Sequence, residues 1–189
     1  MSELVRSFIA VEVGKAERRE LLGLISTLKE AGADVKWVRP ENLHLTLKFL
    51  GDVEEERLGE VKGFLDRAAY GTKAFGIHLA GVGAFPGIHR PTVIWAGVDK
   101  GEELLAGLAG KVEEGAAGIG FQKEERPFAG HLTLGRVRTR KNLSRLVSAL
   151  ERASFSSAVE TKVDGVSLYK STLTPEGSVY ELIHRARLI

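Results

Sequence analysis

The 189-residue sequence contains no cysteine. This absence excludes a disulfide framework, a thiol nucleophile, and thiolate sites for zinc or an iron–sulfur cluster. It is also compatible with a reducing compartment. Any catalysis therefore has to come from other side chains.

The sequence also lacks long apolar runs and a strong charge of one sign. No run reaches the roughly 18 apolar residues of a membrane-spanning helix, and charge at Glu3 and Arg6 interrupts any signal-peptide core. Lys and Arg number 27 against 25 Asp and Glu, so net charge does not indicate a polyanionic partner. With 43% hydrophobic residues, we expect a globular, monomeric, cytoplasmic protein with no membrane partner.

Two common catalytic motifs are missing. There is no G-x-x-x-x-G-K-[ST] phosphate loop, which argues against an ATP-driven ligase of the P-loop type. There is no H-E-x-x-H and no other histidine spacing typical of zinc hydrolases. We therefore expect no metal and no cofactor.

One nine-residue phrase, R-P-x-x-x-H-L-T-L, occurs twice, at residues 39–47 and 126–134. In a strand, alternate side chains share a face, so His44 and Thr46 point one way, as do His131 and Thr133. The intervening leucines point to the other face. Packing explains the leucines but not a repeated His-Thr pair, so we predict that these four residues are catalytic.

Helical and strand-like segments follow each other in an order that restarts in the second half. The patterns predict strands at 5–13, 36–38, 43–51, 73–82, 92–98, 128–137, 162–170 and 179–188, and helices at 15–31, 54–70, 101–114 and 142–152. We predict an α+β fold of two pseudo-symmetric lobes, each an antiparallel sheet with helices on its outer face, with an active-site cleft between them. The chain would form a single bilobal domain, residues 1–189, with an internal duplication of about 1–90 and 91–189.

A cleft with two imidazoles and two hydroxyls fits phosphodiester cleavage. Histidine can both give and take a proton near neutral pH. One imidazole would deprotonate the nucleophile and the other would protonate the leaving oxygen, while threonine hydroxyls bind the other phosphate oxygens. Symmetry alone does not say which histidine is the acid.

Further segments carry a family resemblance: Arg6-Ser7-Phe8-Ile9-Ala10, Gly83-Ala84-Phe85-Pro86, Trp95-Ala96-Gly97-Val98 and Leu168-Tyr169-Lys170-Ser171. With the two phrases, the chain resembles the 2H phosphoesterases, specifically the bacterial and archaeal RNA 2′,3′-cyclic phosphodiesterases, also called 2′-5′ RNA ligases. The family usually has proline directly before the second histidine, where this chain has Gly130.

The resemblance implies a substrate and roles. It implies metal-independent hydrolysis of RNA 2′,3′-cyclic phosphate ends to 2′-phosphate, with 2′-5′ ligation as the reverse reaction. His44 would donate a proton to the departing 3′ oxygen, and His131 would activate water. Thr46 and Thr133 would hold the phosphate.

Five other residues are predicted to bind substrate. Arg136 matches the family's arginine after the second phrase and suits phosphate, although strict alternation puts it on the leucine face unless a β-bulge occurs at Gly135. The others are the aromatic and hydroxyl candidates Phe8, Phe49, Tyr169 and Ser171. Phe49 is also out of phase with His44.

Two alternatives stay open. The same four residues could cleave small cyclic nucleotides or 2′-5′ oligonucleotides. A different class is a module that binds a nucleotide or an RNA end without turnover. Retention of both histidines and both threonines favours an enzyme.

Overall fold

A computed structural model describes residues 3–189. The strands are β1 Leu4–Glu12, β2 Val35–Trp37, β3 His44–Glu54, β4 Phe75–Phe85, β5 Val93–Lys100, β6 His131–Val137, β7 Ser156–Val163, β8 Gly165–Thr174 and β9 Gly177–Arg187. The helices are α1 Lys15–Lys29, α2 Leu58–Ala69, α3 Glu102–Gly118 and α4 Leu143–Arg152. No helix in this part of the chain is long and apolar enough to cross a membrane.

All the strands belong to one antiparallel sheet, in the order β7-β4-β5-β6-β3-β1-β8-β9, with β2 also paired to β6. The predicted α+β class with antiparallel strands is confirmed, and the sheets of the two predicted lobes are joined into one. The two lobes meet where β3 pairs with β6 through Leu45 and Leu132. Each lobe takes strands from both halves of the chain, because β8 and β9 extend the β1–β3 side and β4 joins the β5–β6 side. The internal duplication itself stays a prediction.

The helices cover the apolar face of the sheet. In α1, Leu21, Leu24, Ile25 and Leu28 repeat at helical spacing, and all four are buried. The strand residues Leu45, Leu47, Leu132 and Leu134 are buried in the same core. The His-Thr face of β3 and β6 is thereby left on the opposite side, away from the helices.

The sequence patterns missed β7, an edge strand that pairs with β4. Its sequence, SSAVETKV, buries Ser157 and Thr161 along with Val163. Strands are predicted from alternation between apolar and polar residues. Small polar side chains on the buried face erase that signal, so β7 becomes recognisable only from its pairing.

His78 on β4 joins three strands. Its Nδ1 lies 2.6 Å from Oδ1 of Asp99 on β5, and its Nε2 lies 2.8 Å from the carbonyl oxygen of Ser157 on β7. Both partners accept hydrogen bonds, so both ring nitrogens can donate only when the imidazole is protonated. The bond to Asp99, followed by that to Ser157, raises the pKa of His78 above its ordinary value.

We expect His78→Ala to destabilise the protein more at pH 6 than at pH 9. A raised folded-state pKa gives a contribution to stability that is complete below the unfolded pKa, roughly 6.5, and is lost as pH rises through the folded pKa. Urea unfolding at the two pH values measures the difference. His89→Ala is the control, because that side chain is 81% exposed and its contact with a carboxylate, that of Glu151, is long at 3.7 Å. Equal losses of the free energy of unfolding at both pH values would contradict a protonated His78 that donates to both Asp99 and Ser157.

Candidate active site

The two repeated phrases begin neighbouring strands. His44 is the first residue of β3 and His131 is the first residue of β6. The two strands are antiparallel and are paired at the leucine after each histidine, Leu45 and Leu132. The two phrases therefore lie next to each other and run in opposite directions. His44, Thr46, His131 and Thr133 all line one cavity of about 480 Å³. The structure thus brings together the four residues predicted to be catalytic.

Both histidines are oriented in the same way. Nδ1 of His44 lies 2.6 Å from the carbonyl oxygen of Asn42, and Nδ1 of His131 lies 2.8 Å from that of Ala129. A carbonyl can only accept, so each Nδ1 carries the hydrogen. Each Nε2 is left for chemistry, and that of His44 lies 2.9 Å from Oγ1 of Thr46. Gly130, in place of the family's proline, leaves this geometry the same at both sites.

Aromatic rings enclose His44. Phe8 stacks on its imidazole with the ring centroids 4.8 Å apart, and Tyr180 presents an edge at 5.4 Å. The pKa of His44 is lowered to about 4, chiefly by burial in these surroundings. The hydrogen bond to the Asn42 carbonyl raises the pKa in part, and the charge of Arg18 adds to the lowering. In this structure, His44 is therefore neutral at neutral pH.

A matching β-bulge follows each His-Thr pair. The pairing of β3 with β1 leaves Leu47 without a partner, and the pairing of β6 with β5 leaves Leu134 without one. An extra residue reverses the alternation beyond it. Phe49 and Arg136 therefore turn to the cavity, and both line it. The bulge required near Gly135 is present. The bulge at Leu47 also explains why Phe49, which is out of phase with His44, lines the cavity with a side chain that is 60% exposed.

Three of the predicted substrate contacts lie elsewhere. Phe8 is only 3% exposed and stacks on His44, so its ring is not accessible to a base. Tyr169 stacks on Phe8 at 5.3 Å, and its hydroxyl donates to the carboxylate of Glu12. Neither Tyr169 nor Ser171 lines the cavity. Both residues are on β8, and the Tyr169 ring and hydroxyl are engaged by Phe8 and Glu12.

The structure adds cavity residues that the sequence reasoning missed. Tyr180 reaches the cavity from β9, and Phe85 meets the His131 ring edge-on at 5.0 Å. Arg126 and Phe128 also line it. Arg126 and Phe128 lie within the second phrase, and Phe85 lies in a segment that already matched the family, so a signal existed for these three. Tyr180 had none beyond its place in a strand.

A buried ion pair holds one wall of the cavity. Nζ of Lys48 lies 2.9 Å from the Glu113 carboxylate and donates to the carbonyl of Gln122 at 3.0 Å. The same carboxylate accepts from the backbone of Glu124 at 2.9 Å. The segment around Gln122 and Glu124, which leads to Arg126, is thereby tied to β3 and α3.

We expect Lys48→Met to lower the free energy of unfolding by about 2 kcal/mol. The Lys48 side chain is 2% exposed and that of Glu113 is 23% exposed, so the cost is below that of a fully buried pair. The double variant Lys48→Met/Glu113→Leu should recover most of the loss, because it leaves no unpaired charge. Urea unfolding of both variants tests this. A double variant less stable than the single one would contradict it.

Within residues 3–189, no group of three or more His, Asp or Glu side chains is placed to hold a metal ion. The cavity does present two imidazoles, the hydroxyls of Thr46 and Thr133, and the guanidinium groups of Arg126 and Arg136. Imidazole can transfer protons, and hydroxyl and guanidinium groups can bind phosphate oxygens. This set of groups suits an anionic phosphoryl substrate.

Comparison with known proteins supports this interpretation. A chain named RNA 2′,3′-cyclic phosphodiesterase from Methanothermobacter thermautotrophicus is 37% identical over 93% of this chain and 95% of its own. The crystal structure of TT0787 of Thermus thermophilus matches with a TM-score of 0.81 at 28% identity, covering 97% of each chain. The crystal structure of E. coli LigT complexed with 3′-AMP matches with a TM-score of 0.78 at 26% identity, covering 98% of this chain and 99% of the other. The family model for LigT-like phosphoesterases matches residues 11–95 and again 97–180, so the chain belongs to that family.

Proposed function

We propose that this protein hydrolyses RNA ends that carry a 2′,3′-cyclic phosphate and releases a 2′-phosphate. The observation that carries the proposal is the single cavity into which both His-Thr pairs open. The relatives named RNA 2′,3′-cyclic phosphodiesterase, at 37% and 38% identity over more than nine-tenths of this chain, support the same substrate.

The proposed reaction is one displacement at phosphorus. Water attacks the cyclic phosphate and gives its proton to one imidazole, the bond from phosphorus to the 3′ oxygen breaks, and the other imidazole protonates that oxygen. The product carries a 2′-phosphate and a 3′-hydroxyl. Thr46, Thr133 and Arg136 would bind the non-bridging oxygens as negative charge grows on them. Proton transfer and phosphate binding are thus supplied by side chains, without a metal.

Following the family resemblance, we assign His44 as the proton donor and His131 as the base. Burial keeps His44 neutral before substrate binds. The negative charge of a bound phosphate stabilises the imidazolium, so His44 would gain its proton together with the substrate. Reversal of the same steps would join RNA ends through a 2′-5′ linkage.

We further propose that the protein acts as a cytoplasmic monomer. Both phrases that line the cavity come from one chain, so the site needs no second copy. The absence of cysteine supports a reducing compartment.

The test is to incubate EDTA-treated protein with a short RNA ending in a 2′,3′-cyclic phosphate. The product is identified by mass, by phosphatase sensitivity and by comparison with 2′- and 3′-phosphate standards. We expect the 2′-phosphate, with no loss of rate after chelation. A 3′-phosphate would contradict the assigned bond cleavage, and dependence on added metal would contradict the side-chain mechanism.

The same experiment separates the alternatives. Binding of the RNA end without any product would favour a binding module, for which E. coli LigT complexed with 3′-AMP is a structural precedent for nucleotide occupancy. Faster turnover of small cyclic nucleotides or of 2′-5′ oligonucleotides would favour those substrates.

A further inference from the structure

A second, smaller space adjoins the cavity. It has a volume of about 230 Å³ and shares Val38, Asn42, Arg136 and Tyr180 with the cavity. We call it the side groove. A chain that leaves the cavity past Arg136 enters the side groove directly.

The side groove is strongly basic. Lys36, Arg39, Arg136 and Arg138 line it, against a single acidic residue, Glu176. None of these four cations forms an ion pair within residues 3–189. The surface therefore offers unpaired positive charge next to the proposed site.

Two of these charges directly oppose each other. Lys36 on β2 is the register partner of Arg136 on β6. Like charges at such positions destabilise a sheet, and neither side chain forms an ion pair with a carboxylate of residues 3–189. An anion bound between Lys36 and Arg136 would relieve this repulsion. A phosphate can accept hydrogen bonds from both an ammonium and a guanidinium group.

The walls of the side groove are already fixed. Arg39 donates from Nη2 to the carbonyl of Glu176 at 2.8 Å, and Asn42 donates from Nδ2 to the carbonyl of Ser178 at 2.7 Å. These bonds tie the start of β9 to the turn that precedes His44. A ligand would therefore meet a preformed groove and would not have to order it.

The opposite flank of the cavity has no such excess of positive charge. There, Lys123 and Arg126 are balanced by Glu124 and Glu125 around the exposed ring of Phe49. A polyanionic chain extending from the cavity would be attracted to the side groove and not to this flank.

We propose that the side groove binds the phosphodiester that joins the cyclic-phosphate nucleotide to the preceding nucleotide of an RNA chain. The proposal rests on the proposed function of the cavity. It makes the protein selective for oligonucleotide ends over free nucleoside 2′,3′-cyclic phosphates, because a mononucleotide has no phosphate to place there.

The experiment compares kcat/KM for a dinucleotide ending in a 2′,3′-cyclic phosphate with kcat/KM for the matching nucleoside 2′,3′-cyclic phosphate. The ratio of these two values should fall about tenfold in Lys36→Ala and in Arg138→Ala, since each loses a charged hydrogen bond at an exposed site. Arg140→Ala is the matched control, an exposed arginine outside the groove, and should keep the wild-type ratio.

Salt gives a second readout. One further phosphate contact should steepen the dependence of log KM on log salt by about 0.7 for the dinucleotide relative to the mononucleotide, and the groove variants should lose that difference. If the ratio of the two kcat/KM values is the same in the wild type and in both variants, the side groove does not bind this phosphodiester, while the proposed function stands. No turnover of either substrate by the wild type would overturn the proposed function and this inference with it.

Discussion

Replacing either His44 or His131 with alanine is expected to lower kcat on a 2′,3′-cyclic phosphate end by about 10²- to 10⁴-fold, the usual contribution of one positioned acid or base. Both imidazoles line the same cavity, with each Nδ1 held by a backbone carbonyl. Since neither histidine can complete the proton transfer alone, we expect the double variant to lose little beyond the single ones.

His89→Ala is the control for this experiment. Its side chain is 81% exposed, and His89 does not line the cavity, so turnover should be retained. Circular dichroism and urea unfolding should show that the variants at His44 and His131 are folded. A folded variant at either position that keeps near wild-type kcat would contradict the paired acid and base.

The second large effect is on stability. The pKa of His44 is lowered by burial to about 4 in the folded protein, whereas an unfolded histidine titrates near roughly 6.5. Between these values the unfolded state binds the proton and the folded state does not, so stability is complete above the unfolded pKa and falls as pH drops toward 4. The loss is on the order of 3 kcal/mol across that window.

His44→Gln should remove this loss. Urea unfolding at several pH values between 4 and 7 should show a free energy of unfolding that falls less steeply in the variant than in the wild type. The difference between the two proteins isolates His44 from His78, whose raised pKa acts in the opposite direction. Parallel pH profiles would show that His44 is not a buried neutral imidazole.

The sequence was sufficient for the four residues at the centre of the cavity. Alternation in a strand assigns His44 and Thr46 to one face and leucine to the other, and the repeat assigns the same faces around His131. The antiparallel α+β class follows from the same periodicities. What the repeat does not reveal is that β3 and β6 pair directly, because strand pairing depends on contacts between distant segments.

The residues beyond each His-Thr pair were harder to place. Strict alternation sends Phe49 and Arg136 into the core, and only a bulge at Leu47 and Leu134 reverses this. The family match of Arg136 required such a bulge. The equivalent bulge after the first His-Thr pair reconciles strict alternation with the prediction that Phe49 binds substrate.

The surroundings of His44 depend on the sheet as a whole. Phe8 was expected to meet a base but is buried against the imidazole, and Tyr180 fills the position considered for Tyr169. Aromatic residues look alike in a strand pattern whether they support a catalytic group or contact a ligand. Only the folded contacts separate the two roles, since Phe8 is buried beneath the His44 ring while Tyr180 lines the cavity.

The most direct test of the account is the pH dependence of kcat/KM for hydrolysis of a 2′,3′-cyclic phosphate end. The cyclic phosphate does not itself titrate near neutral pH, so the profile reports the enzyme. Paired acid–base catalysis predicts a bell-shaped profile whose two limbs belong to the histidine pair, with one limb lost in each single variant at His44 or His131. A monotonic wild-type profile, or a bell that survives either replacement, would contradict the two-histidine mechanism.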